Sequence, residues 1–197
     1  RVLTMDLHSG QVQGFFEIPV DHMTAMPMLS QYFMDQPFEE DLVVVSPDAG
    51  RVKMARNFAR KMGVHWAVME KERPAHNVAA TGYVVGDVKG KMAILVDDMI
   101  DTAGTLSAAA KTVLDEGAAK VIACATHGVF SPPAFERLPT AESGIERIVV
   151  TDTIPLRPGA PDNIHVLSTA QTLADSIRRI FADDSVSEIF AGENQLF

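Results

Sequence analysis

Asp97 and Asp98 stand side by side after the apolar run Ile94-Leu95-Val96, and Met99-Ile100-Asp101-Thr102-Ala103-Gly104-Thr105 follows them. An apolar run of this kind makes a buried strand. A turn of small residues lets consecutive backbone N–H groups converge on one anion. A helix opening near Thr105 adds the positive end of its dipole, and the hydroxyls of Thr102 and Thr105 supplement the donors. The two carboxylates would repel a phosphate placed on them, but they accept hydrogen bonds from sugar hydroxyls or hold Mg²⁺ nearby. A phosphate cradle beside an acidic pair suits a phosphorylated sugar.

The elements around this turn read as alternating strands and helices. Leu42-Val43-Val44-Val45 is a continuous β-branched run, the mark of a strand buried on both faces. It ends at Ser46-Pro47-Asp48-Ala49-Gly50, and a helix over 52–62 follows, closed by Gly63. Further strands are expected at 1–6, 64–69, 83–88, 91–96, 121–126, 148–150, 164–167 and 186–190. Helices are expected around 28–34 and over 105–116, with Gly117 as the stop, and again to about 181 after a cap at Ser168 or Thr169. Ser131-Pro132-Pro133 offers another helix start, with Ser as cap. Pro19 and Pro27 bracket an irregular passage, and 71–82 is polar, aperiodic and broken by Pro74, a long loop of the kind that serves as a lid. Such alternation means an α/β fold, a mainly parallel sheet flanked by helices. Ligands bind beyond the carboxyl ends of strands in such sheets. Asp48, His127 and the 97–105 segment all fall at those ends.

Composition narrows the function classes. A chain of 197 residues, nearly half of them apolar, buries a full single-domain core. Its net charge of −9, with no basic stripe, argues against a nucleic-acid partner. Anionic ligands must therefore be held by local groups, and metal ions would help. The single cysteine, Cys124, lies in an apolar strand and reads as a small buried hydrophobe. No intrachain disulfide is possible, and there is no long apolar span or signal peptide, so a cytoplasmic protein without a membrane partner is expected. The other histidines show no metal-ligand spacing, and the methionines are scattered as core filler.

Two further segments carry chemistry: Asp6-Leu7-His8-Ser9-Gly10-Gln11-Val12-Gln13-Gly14-Phe15-Phe16, and Val45-Ser46-Pro47-Asp48-Ala49-Gly50-Arg51. The 97–105 turn resembles the ribose-phosphate-binding loop of the type I phosphoribosyltransferase fold. With the other two segments in this order, essentially the whole chain resembles ribose-phosphate diphosphokinases, also called phosphoribosyl pyrophosphate synthetases. The resemblance implies Mg²⁺-dependent attack by the anomeric hydroxyl of ribose 5-phosphate on the β-phosphorus of ATP, releasing AMP. It assigns Asp97, Asp98, Asp101, Thr102, Ala103, Gly104 and Thr105 to ribose 5-phosphate, and His8 and Asp48 to the Mg²⁺–nucleotide site. Lys71 and Arg73 match a Lys-x-Arg element on a catalytic loop, where two cations would stabilise the transferring diphosphoryl group. Without the resemblance, His8 reads as a hydrogen-bonded structural histidine, Asp48 as the head of an Asx-turn, and Lys71 and Arg73 as solvated loop charges.

The resemblance also implies an effector site for inorganic phosphate and ADP, to which Gln13, Asp21, Ser185, Ser187 and Phe190 correspond. His22 stands where some members have Asn. The alternative for these positions is packing and capping. Two departures stand out: Glu72 lies between the two loop cations, and Arg51 replaces a glycine common in the family. That arginine either alters the backbone or adds a phosphate donor. By the same resemblance, residues 1–23 are the remnant of an upstream domain and its crossing, 24–183 the ribose-phosphate-binding domain, and 184–197 a C-terminal strand and tail. The parent is then a homo-oligomer, hexameric by resemblance. Rival readings are a phosphoribosyltransferase that consumes the activated sugar and a non-catalytic regulatory subunit.

Overall fold

The structure is a computed structural model that describes residues 1–72 and 81–190, with the backbone alone for Lys71, Glu72 and Thr81. Nine strands and six α-helices follow one another among these residues. The strands are β1 (Val2–Met5), β2 (Val20–Met23), β3 (Leu42–Ser46), β4 (His65–Glu72), β5 (Thr81–Val85), β6 (Met92–Ile100), β7 (Lys120–Gly128), β8 (Ile145–Thr151) and β9 (Ile164–Leu167). The helices are α1 (Met26–Met34), α2 (Val52–Met62), α3 (Gly104–Asp115), α4 (Ala134–Arg137), α5 (Thr140–Ser143) and α6 (Ala170–Phe181). Seven strands form one sheet in the order β5-β4-β3-β6-β7-β8-β9, parallel throughout except for β5, which runs antiparallel to β4. The mainly parallel α/β fold expected from the alternating pattern is thus the one observed.

Period-two geometry explains how β6 is held. Ala93 and Leu95 face one layer, where Val43, Val45, Val121, Ala123 and the α3 residues Leu106, Ala109, Ala110 and Val113 bury them. Met92, Ile94 and Val96 face the other, against Val44, Ile122, Cys124, the α1 residues Leu29 and Phe33, and the α2 residues Ala55, Phe58 and Ala59. Each large side chain buried this way contributes about 1.5–3 kcal/mol. The strand's direction is therefore fixed, and so is the point at which it hands the chain to the following turn. Helix α3 begins there because Ala108-Ala109-Ala110 favour helix and the chain leaves it at Gly117, whose φ of 94° suits glycine.

Four expectations need correction. The passage between Pro19 and Pro27 contains β2, which pairs in parallel with β1 as a separate two-stranded sheet. Residues 186–190 form a 3₁₀ turn rather than a strand. Val186, Ile189 and Phe190 recur at helical spacing, and this turn buries Val186 and Phe190 against Met23, Leu3 and Met5, beside the small sheet. The expected loop over 71–82 does not hold at its two ends, because Lys71 and Glu72 pair with Gly82 and Thr81 in the β4–β5 ladder, and residues 73–80 lie outside the described residues. Charged residues hide the apolar period of a strand, but an edge hairpin is held by its own backbone ladder. Ser131 does not cap α4 with its side chain; its backbone carbonyl accepts from the Ala134 N–H at 2.9 Å. Residues 191–197 lie outside the described residues.

No helix among the described residues is long and apolar enough to cross a membrane. Cys124 is buried, and burial pushes its thiol pKa upward, which keeps it protonated and inert.

Candidate active site

Strand β6 carries the acidic pair inside its last turns rather than beyond its end. Asp97 lies opposite Ala125 of β7, and the ladder continues to Met99–His127 and Ile100–Gly128. The ladder passes over Asp98, and the carboxylates of Asp97 and Asp98 both come within reach of one guanidinium, that of Arg51. Asp98 is 2% exposed. Beyond Ile100 the chain turns sharply through Asp101, Thr102 and Ala103 into α3. Ala103 takes a left-handed φ of 60°, the conformation that lets neighbouring N–H groups converge. No side chain caps α3, so its first N–H groups stay available to an anion. Asp101, Thr102 and Thr105 are exposed.

Asp48, Asp97, Met99, Ile100 and the whole 101–106 segment line one cavity of about 170 Å³. Two of the three sequence segments singled out above thus meet at a single cleft. Arg137, from α4, braces the outside of the turn: its Nη1 donates to the Thr102 carbonyl at 3.0 Å.

His8 joins the same region through Asp98. Its Nδ1 lies 2.8 Å from Asp98 Oδ2 and 2.7 Å from Arg51 Nη2, and Arg51 Nη2 donates to Asp98 Oδ2 at 2.8 Å. The Arg51 Nε faces Asp97 Oδ1 at 3.3 Å. Arg51 donates to Asp98 in any case, while His8 Nδ1 either accepts from Arg51 or donates to Asp98. Nδ1 is engaged both ways, so Nε2 is the nitrogen left for a ligand, on a side chain 63% exposed. Arg51 itself has φ −105°, open to any residue, so it does not distort the backbone where the family has glycine. Asp48 heads the preceding 3₁₀ turn, and its Oδ1 accepts from the Arg51 N–H at 3.1 Å.

The carboxyl of Asp97 is pushed up to about 7, chiefly by burial and then by Asp98 beside it, with Arg51 opposing. The other oxygen of Asp98, Oδ1, is buried without a hydrogen-bond partner among the described residues.

Asp6, at the head of the first chemistry-bearing segment, and His127, at a strand end facing the site, act as anchors. Asp6 is buried at φ 40° and its Oδ2 accepts from the Ala25 N–H at 2.8 Å and from Thr126 Oγ1 at 2.6 Å. His127 Nε2 donates to the carbonyls of Met5 and Asp6, at 3.0 and 3.1 Å. Together they moor the segment carrying His8 to the end of β7. Asp6→Ala leaves two buried donors unpaired and is expected to cost about 2–4 kcal/mol of stability. Urea unfolding checks this; a change below about 0.5 kcal/mol would contradict the mooring role.

The remaining sequence candidates are placed as follows. The Lys71 backbone pairs with Gly82 at the outer end of β4, and Arg73 lies outside the described residues. Gln13 sits in the 3₁₀ turn Gly10–Phe15, where its Nε2 reaches the Gly10 carbonyl at 3.5 Å. Asp21, in β2, is 2.6 Å from Arg1 Nε. Ser185 and Ser187 are exposed, whereas Phe190 is 3% exposed and packs in the cluster with Met23.

Residues 69–191 match the family model described as the phosphoribosyl synthetase-associated domain. The chain belongs to that family. A ribose-phosphate pyrophosphokinase of Caldanaerobacter subterraneus subsp. tengcongensis is 54% identical over 191 residues, covering 96% of this chain and 60% of that protein. Among solved structures, phosphoribosylpyrophosphate synthetase from Mycobacterium smegmatis is similar at a TM-score of 0.83 and 45% identity, over 92% of this chain and 58% of that one. APRTase from Giardia lamblia, at a TM-score of 0.50 and 15% identity over 64% of this chain and 75% of that one, shares the fold alone. The phosphoribosyl synthetase-associated chain thus spans about 60% of the length of the curated relatives it matches.

Proposed function

We propose that the protein containing this chain transfers the diphosphoryl group of ATP to the anomeric hydroxyl of ribose 5-phosphate, giving phosphoribosyl pyrophosphate and AMP. The observation that carries this reading is the convergence of Asp48, Asp97 and the uncapped 101–106 turn on one cavity, in a chain about half identical to ribose-phosphate pyrophosphokinases. The sugar phosphate docks on the amides and hydroxyls of 101–105, and the acidic pair faces its hydroxyls. Lys71 and Arg73 stabilise the charge on the transferring group. Of the acidic pair, Asp97 is the member that lines that cavity, and its raised pKa makes it a proton acceptor poised near neutrality.

Mg²⁺ fits as an ion carried in by the nucleotide. No group of three or more His, Cys, Asp or Glu among the described residues forms a metal cage, and Mg²⁺ takes one or two protein ligands with substrate phosphates and waters. His8, through its exposed edge, and Asp48, on the cavity wall, would lend those ligands. The ion would neutralise polyphosphate charge. By resemblance the parent is a cytoplasmic homohexamer that answers to phosphate and ADP, with Gln13, Asp21, Ser185, Ser187 and Phe190 at the effector boundary.

Incubating the full-length protein with ATP, Mg²⁺ and ribose 5-phosphate should release AMP and phosphoribosyl pyrophosphate in equal amounts. AMP without the diphosphoribose product would overturn the assignment. Consumption of added phosphoribosyl pyrophosphate with a nucleobase, releasing pyrophosphate, would instead favour a phosphoribosyltransferase.

A further inference from the structure

One peptide in the turn between β6 and α3 is held in a conformation that needs support. Ala103 takes a left-handed φ of 60°, which costs any residue that carries a Cβ. The residue is buried, yet its N–H finds no hydrogen-bond acceptor among the described residues. Buried donors are rarely left without one, so this N–H is built for a ligand. The carbonyl of the same peptide, that of Thr102, is engaged: Arg137 Nη1 donates to it at 3.0 Å. Across a trans peptide the C=O and N–H point in opposite directions. Holding the Thr102 oxygen against Arg137 therefore aims the Ala103 N–H the other way. Thr102 and Ala103 line the cavity with Asp48 and Asp97, and Arg137 is not on its wall.

We infer that Arg137 is a positioning residue for the sugar-phosphate cradle. From behind the turn it fixes the Thr102–Ala103 peptide so that the Ala103 N–H donates to the incoming phosphate, while the arginine itself never touches that phosphate. This role belongs to the proposed ribose 5-phosphate site and rests on that reading. The residue is suited to it. Among the described residues no acid pairs with its guanidinium, so the full charge bears on the carbonyl. Such a charge-assisted bond is roughly twice as strong as a neutral one, and it polarises the peptide so that the N–H becomes a better donor. Its base is firm: Ala134 and Leu138, on either side of it in and just after α4, are fully buried, although the Arg137 side chain is exposed. Gly104 keeps the space open, since a Cβ there would stand 3.1 Å from Arg137 Nη1. The cation thus acts on the anion through a backbone amide, in a site whose own walls carry acids.

The test compares full-length wild type with Arg137→Ala and Arg137→Lys. Calorimetric titration with ribose 5-phosphate alone should give Arg137→Ala a dissociation constant about tenfold above wild type. Arg137→Lys, which keeps a charged donor, should stay within about threefold of wild type. In steady state the KM for ribose 5-phosphate should rise in step, while kcat and the KM for ATP stay within about twofold, a split that a generally distorted site would not give. Crystals of ligand-free Arg137→Ala should show the Thr102 carbonyl turned from its wild-type direction and Ala103 relaxed to a negative φ. Equal affinity of wild type and Arg137→Ala for ribose 5-phosphate would overturn the inference. So would a Thr102–Ala103 peptide that stays in place in the variant crystal. Wild type that binds no ribose 5-phosphate would instead overturn the proposed reaction and take the cradle with it, a result distinct from equal binding by both proteins.

Discussion

Asp97→Asn is expected to make the protein more stable above neutral pH and far less active. The folded protein holds the Asp97 proton up to about pH 7, whereas the unfolded chain releases it near the ordinary value of 3.8. Between those two values the folded state binds more protons, so Asp97 draws stability down as pH rises through that window. Above it, removing the charge recovers a contribution on the order of 2–4 kcal/mol. For a chain of this size that corresponds to about 5–10 °C in melting temperature. At pH 4 the variant and wild type should melt together. The same substitution removes the acceptor facing the sugar hydroxyls, so synthesis should fall by about 100-fold. Thermal scans at pH 4, 6 and 8 with parallel rate measurements check both halves. An equal gain at every pH would show that the charge is not the cause, and unchanged synthesis would remove Asp97 from the sugar site.

Lys71→Ala should leave stability alone: fold as wild type and lose most of its turnover. The Lys71 backbone is held by its ladder partner Gly82, which the substitution leaves intact, so stability should shift by less than about 0.5 kcal/mol. A cation aimed at a transferring phosphoryl group is worth about 10²–10³ in rate. A circular dichroism melt and a steady-state rate separate the two effects. Unchanged turnover would favour the rival in which the chain is a non-catalytic subunit, or would place the transition-state cation elsewhere.

Local patterns made the frame of the site legible in the sequence, and long-range contacts did not. Strand β6 and the 101–105 turn could be read because a saturated apolar run and a string of small residues carry their meaning in place. The same holds for β3 and the Asp48 turn after it. Strand β2 escaped notice because four residues with Asp21 and His22 among them give no alternation. The 3₁₀ turn at 186–190 reads as a strand because Val186, Ile189 and Phe190 look like an apolar run until their spacing is counted. The network of His8, Arg51, Asp97 and Asp98 joins residues up to 90 positions apart. Arg51 stood out only as a departure from a glycine, and nothing nearby in the sequence says that its guanidinium crosses to β6. Asp6 and His127 likewise act through partners more than a hundred residues away. A buried acid at the end of a strand, with a histidine at the end of another, is the signal that could have suggested their pairing.

The most direct measurement is a crystal structure of the full-length protein soaked with ribose 5-phosphate. The phosphate is expected within hydrogen-bond distance of the backbone amides of Thr102–Thr105, with a sugar hydroxyl on Asp97. Ribose 5-phosphate bound away from this turn, or lying on it with its phosphate pointing outward, would contradict the account.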